Sequence, residues 1–172
     1  VLPAGSNSFF RQLDHLITTL ANEDFAQLYV KTQELLKEHS IENPPQVVVK
    51  QYSDLKAAIF TRYRTISELL GAHLLGEAQL LKSNCMLETS GRDVAMFHYV
   101  DHFFPTGYSK LALHFTINDL SHAQTSVDNR MIGEIKTGID AIKNEDVFDI
   151  IYANVGGPYG SEVLPGVQKD SD

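Results

Sequence analysis

Apolar residues recur at three- and four-residue steps from the start of the chain, the spacing of one helical face: Phe9, Leu13, Leu16, Ile17 and Leu20, with Ser6, Asn7 and Ser8 as candidate N-caps. The pattern restarts at Asn22. Glu23 and Asp24 then fall in a first turn, where carboxylates suit the positive end of a helix, and Phe25, Leu28, Tyr29, Leu35 and Leu36 turn inward up to about His39. The two segments predict an αα-hairpin. Asn43-Pro44-Pro45 ends it, because proline donates no amide hydrogen and restricts the residue before it. Val47, Val48 and Val49 are β-branched and predict a short buried strand. From Ser53 and Asp54, the residues Leu55, Ile59, Ile66, Leu69, Leu70, Leu74, Leu80 and Leu81 return to helical spacing. A long third helix is expected there, broken at Gly71 or Gly76. The rival reading makes Ala57 to Ile66 a strand, since Ile59, Phe60, Thr61, Tyr63 and Thr65 favour extended backbone.

After the turn signal Ser90-Gly91 the character changes. Val94 to Phe104 and Lys110 to Ile117 are rich in β-branched and aromatic residues, and Pro105-Thr106-Gly107 between them predicts an antiparallel hairpin. Asp119 or Ser121 caps a late helix to about Lys143, with Met131, Ile132, Ile135, Ile139 and Ile142 on one face, and Val147 to Val155 reads as a returning strand. The expected fold is therefore α+β. In it a helical N-terminal half, an αα-hairpin plus a long third helix, packs on a small antiparallel sheet with one late helix. Residues 1–155 form one globular domain in this reading, and the glycine- and proline-bearing segment 156–172 is a loop or linker stub.

Composition limits the partners more than the fold. A chain of 172 residues, 43% hydrophobic and 21% charged, has the length and composition of one ordinary globular domain. Its formal charge of -8 repels phosphate backbones and anionic headgroups, and Arg62 with Arg64 is the densest basic spot, so no nucleic-acid partner is expected. The apolar runs fall far short of the roughly 18 residues that cross a bilayer, so no membrane insertion is expected in this segment. Cys85 is the only cysteine, which excludes an intramolecular disulfide. The opening Val1-Leu2-Pro3 reads as an excised domain or a processed mature chain, and no feature points to a compartment or a cofactor.

The densest titratable cluster is His98-Tyr99-Val100-Asp101-His102, followed by His114. On a strand, His98 and His102 share one face, Asp101 points to the other, and His114 on the neighbouring strand supplies a third ligand. His98, His102 and His114 are accordingly the candidate metal ligands. With Thr116 they are also the candidate acid-base groups, because an imidazole and a hydroxyl two residues apart can meet one phosphate oxygen. Leu113-His114-Phe115-Thr116-Ile117 resembles one half of the pattern of the two-histidine phosphoesterases, whose second His-x-Thr or His-x-Ser strand this chain lacks. Tyr99, Asp101 and Tyr108 are the expected ligand contacts beside these groups. Cys85, next to Met86 and Leu87, reads as core filling rather than a nucleophile, and His73 with Glu77 as an ordinary solvated helix face. Two functions follow: a small soluble ligand- or protein-binding domain of regulatory or sensor type, or a histidine-dependent acid-base or metal-assisted enzyme acting on a phosphorylated or other small polar substrate. The expected partner is a small molecule or a protein, with self-association as a further option.

Overall fold

A computed structural model describes residues 8–88, 95–104, 107–113, 119–144, 147–154 and 156–171. Every regular element among the described residues is helical: α1 Ser8–Leu35, α2 Gln46–Leu80, α3 Ala95–Phe103, α4 Leu120–Asn144, α5 Val147–Ala153, a 3-10 turn Ser161–Val163 and α6 Leu164–Ser171. The expected α+β fold with an antiparallel sheet is thus corrected to an all-helical one.

The corrections share a physical cause. From Ser6 to Asn43 the chain holds no glycine and no proline, so nothing breaks the backbone at Asn22, and the two predicted helices are the single α1. Asn22 is weakly unfavourable inside a helix, by a few tenths of a kcal/mol, and burial of the flanking apolar stripe outweighs it. Val47, Val48 and Val49 form the first turn of α2 rather than a strand, with Val48 and Val49 in the core. Ala57 to Ile66 is likewise helical, and α2 runs unbroken through Gly71 and Gly76. Of the expected hairpin, 95–103 is helix α3 and 108–113 has no regular structure, while His114 to Ile117 lie outside the described residues. The expected strand from Val147 is helix α5.

α1 and α2 run antiparallel, as their contacts show: Tyr29 meets Tyr52, Phe25 meets Phe60, Asp24 meets Tyr63 and Phe10 meets His73, so numbers fall along α1 as they rise along α2. α2 ends on a Schellman turn. Lys82 takes φ 52°, its amide donates to Gln79 O at 3.1 Å, and the Ser83 amide donates to Ala78 O at 2.9 Å. α4 lies against both helices, with Met131, Ile135 and Ile139 buried at four-residue steps. Its start is fixed by Asp119, whose Oδ1 accepts the His122 amide at 3.0 Å. Asp119→Ala should lower unfolding free energy by about 1 kcal/mol, read as a shift of the urea midpoint by circular dichroism; an unchanged midpoint would show that this cap contributes nothing.

Two apolar clusters result. The larger joins Leu28, Tyr29, Leu36, Val48, Val49 and Tyr52 of the hairpin to Met131, Ile135, Ile139 and Ala141 of α4 and to Ile150 and Ala153 of α5. The smaller sits farther along the α1–α2 pair, where Ile17 and Leu70 are packed by Phe10, Leu13, Tyr63 and Ile66 without any residue of α4. The 3-10 turn and α6, within the segment read as a loop or linker stub, pack on α4. No helix among the described residues is long and apolar enough to cross a membrane.

Candidate functional site

The histidine cluster takes a different shape from the one expected. His98 and His102 are exposed and four apart on α3, so they still share a face, but the helix brings Asp101 beside His98 instead of opposing it. Asp101 is engaged by Lys110, whose ammonium donates to Oδ1 and holds the carboxyl below its ordinary range, with His98 a minor contributor. His102 packs edge-on against Phe103. Tyr108 is half-buried, its ring edge-on to Phe104 at 5.0 Å and its hydroxyl buried without a hydrogen-bond partner among the described residues. His114 and Thr116, and the side chain of Tyr99, lie outside the described residues. Among the described residues no group of three or more His, Cys, Asp or Glu is placed to hold a metal ion. Cys85 is exposed and donates weakly to Ser83 O, and Met86 is 94% exposed, so this pair fills no core. His73 is not a solvated residue: its ring stacks on Phe10 at 4.1 Å and its Nε2 is buried.

A groove of about 420 Å³ opens between α1 and α2. Ile17, Ala21 and Phe25 follow one another at four-residue steps along α1, and Ile59, Tyr63 and Ser67 do the same along α2, flanked by Phe60, Arg64 and Glu68. Ala21, midway along the α1 side, and Ser67, towards the Ile17 end, are its small lining residues. Phe25 and Phe60, edge-on at 6.0 Å, narrow one part. Phe25 and Ile59 pack on the larger apolar cluster, and Tyr63 packs on the smaller one with Ile17. The groove therefore bridges the two, on a stretch of the helix pair that α4 leaves uncovered. Its walls are fixed across the pair by Asp24 Oδ2, which accepts from Tyr63 Oη at 2.8 Å and from Arg62 Nη1 at 2.5 Å. Arg64 Nε donates to Glu68 Oε1 at 2.7 Å, so the ionic groups lining the groove already answer each other. Such a lining suits an apolar ligand surface and offers no general base poised over a substrate.

Beside the groove lies the polar centre of the fold. Lys56 is fully buried and its Nζ donates to Glu134 Oε2 at 2.6 Å and to Gly156 O at 3.2 Å. Tyr52 donates to the same Glu134 oxygen at 3.3 Å, and the Tyr29 hydroxyl stands 3.5 Å from that of Tyr52. Arg130 adds a second cation, its Nε 3.6 Å from Glu134 Oε1, while its Nη2 donates to Gly157 O and Tyr159 O at 3.1 Å each. Burial pushes the Lys56 amine below its ordinary value against the opposing pull of Glu134. Burial likewise raises the Tyr29 phenol to about 12 and raises Tyr52 further. Both phenols are therefore neutral donors at physiological pH. Sequence reading passed over Lys56 and Glu134 because they stand 78 positions apart and each resembles an ordinary helix-surface charge. A signal was nevertheless present: Tyr52 and Lys56 lie four apart in the middle of an apolar stripe, where a solvated lysine is out of place. Compared with protein-family models, curated proteins and solved structures, the chain matches none.

Proposed function

We propose that this chain is a protein-binding module whose α1–α2 groove takes an amphipathic helix of a partner protein. The observation that carries the reading is the continuity of the groove with the larger core cluster through Phe25 and Ile59. Two antiparallel helices cannot bury their own flanks, and α4 covers the part that runs from Leu28 to Leu36 on the α1 side and from Val48 to Lys56 on α2. Beyond it the apolar lining runs on as a third-helix position that no described helix fills. A partner helix with apolar residues at i, i+3 or i+4 and i+7 would extend the packing that α4 begins. The net charge of -8 favours a partner whose solvent face is basic, by steering rather than by contact.

The test uses a fluorescein-labelled amphipathic peptide of about five helical turns, leucine on one face and lysine on the other. Binding to the full chain by fluorescence anisotropy should be saturable and abolished when the peptide leucines become serines. Ala21→Arg fills the groove from a half-buried position without removing core atoms, and it should weaken binding at least tenfold with the helical circular dichroism intact. Equal affinity of the two proteins, or no saturable binding, ends the proposal.

A further inference from the structure

We infer that residues 156–171 are a detachable strap that gates access to the Lys56 amine, a reading independent of the groove. The segment is seated closely: a Cβ at Gly156 would overlap Glu134 Oε1, and one at Gly160 would overlap Glu162 Oε2 and lie 2.8 Å from Ser53 Oγ. Its ties to the buried centre are polar. The carbonyls of Gly156, Gly157 and Tyr159 accept from Lys56 and Arg130, and neither apolar cluster contains a residue of 156–171. Gly160 and Ser161 are buried, but Tyr159 and most of α6 are exposed or half-buried. The 3-10 turn and α6 rest mainly on α4 and on each other, and the segment reaches α2 at Ser53 and Lys56.

An element that lies outside both apolar clusters and is tied to the centre by a few hydrogen bonds opens at lower free energy than the core it covers. Arg130 is the anchor, since one guanidinium nitrogen binds two of the three carbonyls and is itself oriented by Glu134. Closed, the strap completes the burial of Lys56, the only described lysine that is fully buried. Open, it withdraws the Gly156 carbonyl and admits solvent and small electrophiles to the amine, while Glu134 and Tyr52 remain in place on α4 and α2. The fold thus contains a lysine site whose exposure is set by a local transition instead of by unfolding.

The experiment labels the full chain with the N-hydroxysuccinimide ester of acetic acid. The neutral amine attacks the ester carbonyl, N-hydroxysuccinimide leaves, and the amine proton goes to buffer. Peptide mapping should show Lys56 acetylated at least tenfold more slowly than exposed Lys50. Arg130→Met, which keeps the stem and removes the donors, should speed labelling of Lys56 at least fivefold without changing Lys50. Hydrogen exchange should rise within 160–171 and stay constant in α1 and α2. Unchanged labelling of Lys56, or exchange that rises equally in α1 and α2, overturns the gate. Should Arg130→Met fail to fold, the wild-type chain in low urea decides: labelling of Lys56 with a weaker urea dependence than global unfolding supports the strap, and an equal dependence refutes it.

Discussion

Glu134→Gln should cost about 3–5 kcal/mol of folding free energy, the range for removing one member of a buried ion pair, because it leaves the Lys56 ammonium without its counter-charge. Lys56 is fully buried, and the acceptors left to it, the new side-chain amide oxygen and Gly156 O at 3.2 Å, are neutral. Lys56→Met is expected to fall in the same range for the converse reason, a carboxylate buried with only Tyr52 donating to it and Arg130 at 3.6 Å. Replacing both, as Lys56→Met with Glu134→Leu, should recover most of the loss, since desolvation of the pair disappears together with its attraction. Urea titrations followed by circular dichroism suit this chain, which is dominated by helix and holds no tryptophan. The exposed pair Lys50–Asp54, at 2.7 Å, is the internal control, and Asp54→Asn should change stability by less than about 1 kcal/mol. A loss for Glu134→Gln no larger than that of Asp54→Asn would mean that the buried pair does not hold the fold together.

The second large effect is expected at Gly138. Alanine normally stabilises a helix interior relative to glycine by roughly 0.5–1 kcal/mol, and α4 continues for another turn and a half beyond this position. Here a Cβ would fall on the Tyr29 ring, overlapping Cε1, Cζ and Cδ1, and Tyr29 is fully buried between α1, α2 and α4. The steric cost, about 1–3 kcal/mol or more for overpacking, should therefore exceed the propensity gain and make Gly138→Ala destabilising. Tyr29→Ala alone should lose about 3–5 kcal/mol through the cavity it leaves. The double variant should lose less than the sum of the two, because the new methyl enters that cavity, and a double-mutant cycle measures the coupling. Additive losses would show that glycine at this position is not required by Tyr29.

Single elements of this fold are legible in the chain while its class is not, and the boundary between legible and illegible follows the range of the interactions. The stop at Asn43-Pro44-Pro45 and the cap at Asp119 depend on residues within a turn of each other, and both appear where local chemistry places them. So do the buried stripe Met131, Ile135 and Ile139, and the long helix that runs to Leu80. The errors lie where a short run of β-branched or aromatic residues fits two periods equally well, as in Val47–Val49 and from Val147 onward. Such a run becomes helical when a neighbouring helix offers its stripe a partner, and α1 and α4 offer it here. The histidines of 98–102 stood out because they are close in sequence. The groove and the buried lysine did not, because Phe25 with Phe60 and Lys56 with Glu134 meet only after the helices pack.

The sequence by itself determined helical periodicity before the double proline, a late capped helix, and the absence of any long apolar span, since each follows from local backbone sterics and periodicity. Only the tertiary structure decided that the remaining elements are helices and that two helices bound an open groove. It also decided that Lys56, Glu134 and Arg130 converge beneath the C-terminal segment. Burial and charge pairing are properties of neighbours distant along the chain, and no local pattern carries them.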